Sequence, residues 1–114
     1  MLQKIAPILP AYNIPDTILF YKNRLKFPTY NYGNYLLVKK DLIEIHYIEW
    51  KGSGKLVPGS CYLFDDNIED LFSKFCSMDI PDSSGNLKTN AWGKKEFHIK
   101  DNNGNILRFG QVIE

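Results

Sequence analysis

The sequence predicts an α+β fold made of two β-α-β-β-β modules, and three observations predict it. The stretch beginning Ile14-Pro15-Asp16-Thr17-Ile18-Leu19-Phe20 returns as Asn67-Ile68-Glu69-Asp70-Leu71-Phe72-Ser73. Asp16 matches Glu69, Ile18 matches Leu71, Leu25 matches Met78 and Pro28 matches Pro81, all at an offset of 53 residues. Each copy follows a short apolar run (5–9; 61–64) and precedes a strand-like run (42–47; 105–109). A long period with only two copies indicates a duplicated supersecondary module rather than a solenoid. Two such modules, at about 4–50 and 58–112 of a single domain 1–114, predict a curved mixed sheet with a concave cleft and helices on its convex side.

The elements follow in order. Asn13 precedes Ile14 and Pro15, with Asp16 three residues on, which is a helix start. Ile14, Ile18, Tyr21 and Leu25 then share one helical face. Strands at 35–39 and 42–48 flank Lys40-Asp41, a hairpin turn. The Gly- and Ser-bearing stretch Lys51-Gly52-Ser53-Gly54-Lys55 falls between the modules. Asp66 and Glu69 stand in capping-box spacing at the start of the second helix, whose apolar face is Ile68, Leu71, Phe72, Phe75 and Met78. Strands at 96–100 and 105–112 close the chain, with Asn103-Gly104 supplying the positive φ angles of a tight hairpin.

Composition narrows the function. The 114 residues carry a net charge of +1 with charges of both signs interspersed, so no basic stripe marks a nucleic-acid binder. No apolar stretch reaches the roughly 18 residues of a membrane span. Pro7 comes too early for a signal-peptide apolar region. Cys61 and Cys76 read as reduced core residues. A cytoplasmic protein is expected. Seven tyrosines within 14% aromatic content suit a wet binding surface.

Strand parity assigns the cleft. With Ile43, Ile45 and Tyr47 under a helix, Glu44, His46 and Ile48 face the concave side. The same alternation turns Cys61 and Leu63 to the helix and Ser60, Tyr62 and Phe64 to the cleft. Arg108 joins them there, between inward Leu107 and Phe109, as do Tyr35 and Leu37. Trp92 ends a long polar loop, 82–91, where a large aromatic either plugs the core or stacks on a ligand.

Several pieces in order resemble the vicinal oxygen chelate superfamily, the glyoxalase, bleomycin resistance and dioxygenase group, and most of all its bleomycin resistance proteins. They are Leu9-Pro10 running to Phe20-Tyr21, the strand Glu44-Ile45-His46-Tyr47-Ile48-Glu49, and Ser60-Cys61-Tyr62-Leu63 with Asp65-Asp66. Trp92-Gly93 leading to Leu107-Arg108-Phe109-Gly110-Gln111 completes the set. The resemblance implies that enzymes of the group hold a metal on four strands, and that Ala6, Glu44, Ser60 and Arg108 occupy those places here. Only Glu44 could ligate, and the permanent charge of Arg108 repels a cation. No metal and no cofactor are therefore expected. Glu44 with His46 and Glu96 with His98 share strand faces and could in principle form another metal site or an acid–base pair. Residues lining a wet cleft, or cross-strand pairs, are the plainer reading.

The resemblance also implies an aromatic groove in which Tyr35 and Trp92 clasp a flat ligand, in a homodimer of a kind whose N-terminal strands are often exchanged. The expected function is metal-independent sequestration of a small aromatic molecule, a bleomycin-like antibiotic being one candidate, with an antibiotic-resistance role. The ligand-binding residues are Tyr35, Glu44, His46, Tyr62, Trp92 and Arg108, and no catalytic residue is assigned. The alternative is a glyoxalase- or dioxygenase-like enzyme with a non-standard or metal-free site. Bleomycin is cationic, whereas Arg108, Lys39, Lys94 and Lys95 favour an anionic or neutral aromatic molecule, unless Arg108 is neutralised by Glu44.

Overall fold

A computed structural model of the chain describes residues 1–80 and 86–112. Pro81, the partner of Pro28 in the repeat, and the first part of the polar loop, 82–85, lie outside the described residues. The fold is α+β, with two four-stranded mixed sheets and two α-helices. The chain forms two compact units, Met1–Gly59 with Asn102–Asn105, and Ser60–Asp101 with Ile106–Glu114.

The first unit holds strand β1 (Ile8–Ala11), helix α1 (Ile14–Phe20), and strands β2 (Thr29–Asn31), β3 (Tyr35–Lys40) and β4 (Ile43–Glu49). The sheet order is β1-β4-β3-β2, with β1 parallel to β4 and the other pairs antiparallel. Asn13 caps α1: its Oδ1 accepts from the Asp16 amide at 2.9 Å. Alternation along β3 and β4 buries Leu36, Val38, Ile45 and Tyr47 beneath α1, together with Ile14 and Tyr21. The Tyr21 and Tyr47 hydroxyls, both buried, satisfy each other at 2.7 Å.

The second unit holds β5 (Ser60–Phe64), α2 (Ile68–Cys76), β6 (Lys88–Thr89), β7 (Lys94–Lys100) and β8 (Ile106–Val112), ordered β5-β8-β7-β6. Its core is aromatic. Phe97 and Phe109 stack at 5.2 Å, and Phe75 meets them edge-on at 5.9 and 5.6 Å. Rings buried at about 25 cal/mol per Å² and in favourable mutual geometry contribute several kcal/mol between them.

The structure refines the repeat. The helix caps Asn13 and Asn67 are 54 residues apart, as are buried Ile14 and Ile68, and buried Tyr21 and Phe75. The left-handed residues that follow, Lys26 and Asp79, are 53 apart, as are buried Phe27 and Ile80. A π-helical turn at Tyr21–Leu25 absorbs the difference, holding one residue more per turn than an α-helix.

Other expectations are corrected locally. The cap of α2 is Asn67, whose Oδ1 accepts from the Asp70 amide at 3.3 Å, in place of Asp66. The first hairpin turns at Asp41-Leu42, one residue later than expected, since Lys40 pairs with Ile43 and Asp41 takes φ 51°. Lys100 pairs with Ile106, so the last hairpin loop is five residues (101–105), wider than the tight turn expected. Gly104 has the positive φ, whereas Asn103 is buried and bonded through its side chain. Cys76 is exposed on α2 rather than in the core, and both cysteines are free.

Candidate functional site

The face of the first sheet away from α1 presents Tyr35 from β3 and Glu44 and His46 from β4. The Tyr35 hydroxyl lies 2.6 Å from His46 Nδ1, and His46 Nε2 lies 2.6 Å from Glu44 Oε2. An ionised carboxylate only accepts, so Nε2 carries a proton; on a neutral imidazole the Tyr35 hydroxyl then donates to Nδ1. Lys4 donates to Glu44 Oε1 at 3.0 Å, and Lys39 stands 3.7 Å from the same oxygen. The hydrogen bonds from His46 and then Lys4 hold the Glu44 carboxyl down at about 2. The arrangement is a continuous hydrogen-bonded row, able to pass a proton or to present fixed polar contacts to a ligand.

The face of the second sheet away from α2 presents Tyr62, Phe64, Lys94, Glu96, His98 and Arg108. The Tyr62 hydroxyl donates to Glu96 Oε2 at 2.7 Å. Burial, followed by this bond and the charge of Glu96, pushes the Tyr62 phenol up to about 12. The same hydrogen bond lowers Glu96, which is buried. Arg108 Nη1 is 3.9 Å from Glu96 Oε1, and the Arg108 side chain is 43% exposed. Lys94 Nζ stands 5.2 Å from the Tyr62 ring centre and 4.9 Å from that of Phe64. Cys61 faces the other way and burial, with Asp101 nearby, raises its thiol to about 11, so it offers no ready thiolate.

Trp92 sits in the turn before β7, where Asn90 Oδ1 accepts from the amides of both Trp92 and Lys94. Trp92 is 74% exposed, so it does not plug the core.

The sequence-predicted residues thus fall into a Tyr35, Glu44 and His46 group in one unit and Tyr62, Arg108 and Trp92 in the other. The carboxylate facing Arg108 is Glu96, and Glu44 is engaged by Lys4 and His46. No local sequence pattern singles out Lys4 as a partner of Glu44. The sequence sets Glu96 on one strand face with His98, whereas the group it accepts from is the Tyr62 hydroxyl, on a strand distant in sequence. Gly110 lies against the Tyr62 side chain, and a glycine inside a strand pattern marks such a close approach. Among the described residues no group of three or more His, Cys, Asp or Glu is placed to hold a metal ion.

No family model matches the chain, and no curated protein does. Solved structures do. A bleomycin resistance determinant encoded on the transposon Tn5 is 21% identical, with 97% of this chain and 98% of that one aligned and a TM-score of 0.83. A bleomycin-binding protein from bleomycin-producing Streptomyces verticillus, complexed with copper(II)-bleomycin, is 19% identical over 100% of both chains, TM-score 0.75. A glyoxalase-related enzyme from Clostridium phytofermentans is 18% identical over 99% and 97%, TM-score 0.77. The chain has the fold of the vicinal oxygen chelate proteins, the glyoxalase, bleomycin resistance and dioxygenase group. That fold serves drug binders and enzymes alike, so function must be argued from the side chains.

Proposed function

We propose that the chain is a metal-independent small-molecule binding protein of the bleomycin-resistance type, which sequesters an aromatic ligand in a homodimer cleft in the cytoplasm. The observation that carries the reading is the exposed Trp92, a large aromatic held out on a hydrogen-bonded turn with most of its surface in water. An indole so placed costs apolar exposure and offers a stacking platform. Tyr35 is the second aromatic contact, with polar contacts from Glu44, His46, Tyr62 and Arg108. Ala6, Ser60 and Arg108, which the resemblance sets at three of the four metal-ligand positions, support a site that works without a metal. The bleomycin-binding proteins of the same fold make a bleomycin-like antibiotic the first ligand to try, and resistance by sequestration the corresponding role. Homodimerisation, with N-terminal strand exchange, is supported by the apolar Met1, Leu2 and Ile5, which are almost fully exposed ahead of β1.

The test is a calorimetric titration with metal-free and copper-loaded bleomycin, run alongside Trp92→Ala and with the molecular mass measured by sedimentation. Saturable binding of one drug per subunit of a dimer, lost in the variant, supports the antibiotic reading. No heat removes bleomycin as ligand, and a sedimenting monomer removes the dimer.

The enzyme alternative has one observation in its favour, the Tyr35–His46–Glu44 row. Hydrogen bonds of this kind orient an acid–base imidazole. Turnover of a glyoxalase or dioxygenase substrate that disappears in His46→Gln would favour it.

A further inference from the structure

The exposed face of the second sheet carries an imbalance of charge that bears on what the ligand is. The register sets Lys94, Glu96, His98 and Lys100 of β7 on one face with Arg108 of β8, and brings Lys88 of β6 beside Glu96. Among the described residues, four fixed positive charges therefore share this face with one carboxylate. That carboxylate is buried and already accepts from the Tyr62 hydroxyl at 2.7 Å, so little of it meets solvent.

The cations are poorly neutralised. Arg108 meets Glu96 only at 3.9 Å, beyond hydrogen-bond reach, through one of its nitrogens, and the rest of the guanidinium is available. His98 is its direct neighbour across the β7–β8 ladder. Lys94 stands over the Tyr62 and Phe64 rings, which are tilted against each other with centres 4.9 Å apart, and Phe64 is 62% exposed. An aromatic surface edged by a guanidinium fork, an imidazole and an ammonium matches a molecule with a flat ring and an oxyanion.

We infer that this face is an anion-selective subsite, and that the ligand is an aromatic carboxylate or a related aromatic oxyanion held by Arg108 and His98. The inference rests on the aromatic-binding reading above and adds to it the sign of the ligand's charge. It runs against a cationic drug: bleomycin is expected to be the poorer ligand.

The experiment is calorimetric titration of the full chain with three probes of one shape, 2-naphthoate, 2-naphthamide and 2-naphthylmethylamine. The expected result is that the carboxylate binds about tenfold more tightly than the amide, with the protonated amine weakest. Arg108→Gln removes the gap between carboxylate and amide, while Arg108→Lys keeps part of it. Circular dichroism of each variant checks that the fold is retained. Equal binding of carboxylate and amide overturns the inference and leaves aromatic binding intact. A preference that survives Arg108→Gln also overturns it, since the anion is then held elsewhere. Failure of all three probes to bind overturns the inference together with the aromatic reading beneath it.

Discussion

Tyr62 reaches Glu96 by lying across Gly110. A Cβ on Gly110 would stand 1.9 Å from the Tyr62 hydroxyl oxygen and 2.7 Å from Cζ, so the hydrogen bond exists only because β8 has no side chain there. Gly110→Ala must push the phenol off its partner, at an expected cost of about 1–3 kcal/mol for the overpacking. Chemical denaturation measures it. In a Tyr62→Ala background the same substitution should cost much less, and an unchanged cost would mean that Gly110 is needed for another reason.

The phenol itself titrates late. Tyr62 is raised to about 12 from an ordinary 10, so the stability it gives is complete below pH 10 and is lost as pH rises through 12. The Cζ chemical shift of Tyr62 should stay that of a neutral phenol at pH 10.5, and a midpoint at 10 would contradict the Glu96 bond.

Glu44 works at the acid end. Its folded value is depressed to about 2 from 4.5, so its contribution is present above pH 4.5 and drains away as pH falls towards 2. Glu44→Gln should flatten the fall in stability across that window. His46→Gln should move the Glu44 midpoint upward in a carboxyl-resolved NMR titration, since His46 is the largest cause of the shift.

Asn103 is buried in the first unit, where its Oδ1 accepts from the Tyr12 amide at 2.9 Å and its Nδ2 donates to Thr17 Oγ1 at 3.0 Å. Asn103→Ala leaves buried polar groups without these bonds and should cost about 1–3 kcal/mol. A loss of a few tenths, as for an exposed turn residue, would contradict this.

Much of the fold is legible in the sequence because it rests on local signals. Two amphipathic helices, strands with alternating burial and the two-copy repeat require only a few residues of context each. The one-residue slip in the repeat was not legible, since the π-helical turn that creates it carries ordinary helix-forming residues, Tyr21 to Leu25. Asn103-Gly104 misled for a related reason. The dipeptide is a turn signal, but tertiary hydrogen bonds to Tyr12 and Thr17 hold Asn103 in a wider loop. Strand parity put Glu44, His46, Tyr62 and Arg108 on the faces away from the helices, as found. The partners of these groups were harder, because Lys4 and Glu96 are brought to them by register between distant strands.

Trp92 provides the most direct test. Because it is exposed, Trp92→Ala should change stability by no more than about 0.5 kcal/mol, so any loss of binding is a loss of contact. The measurement is calorimetric titration of 2-naphthoate into EDTA-treated wild-type protein and into Trp92→Ala. Saturable binding at one ligand per subunit without metal, lost in the variant, is the predicted result. Binding that persists undiminished in Trp92→Ala, or that requires an added metal ion, would contradict metal-free sequestration by stacking.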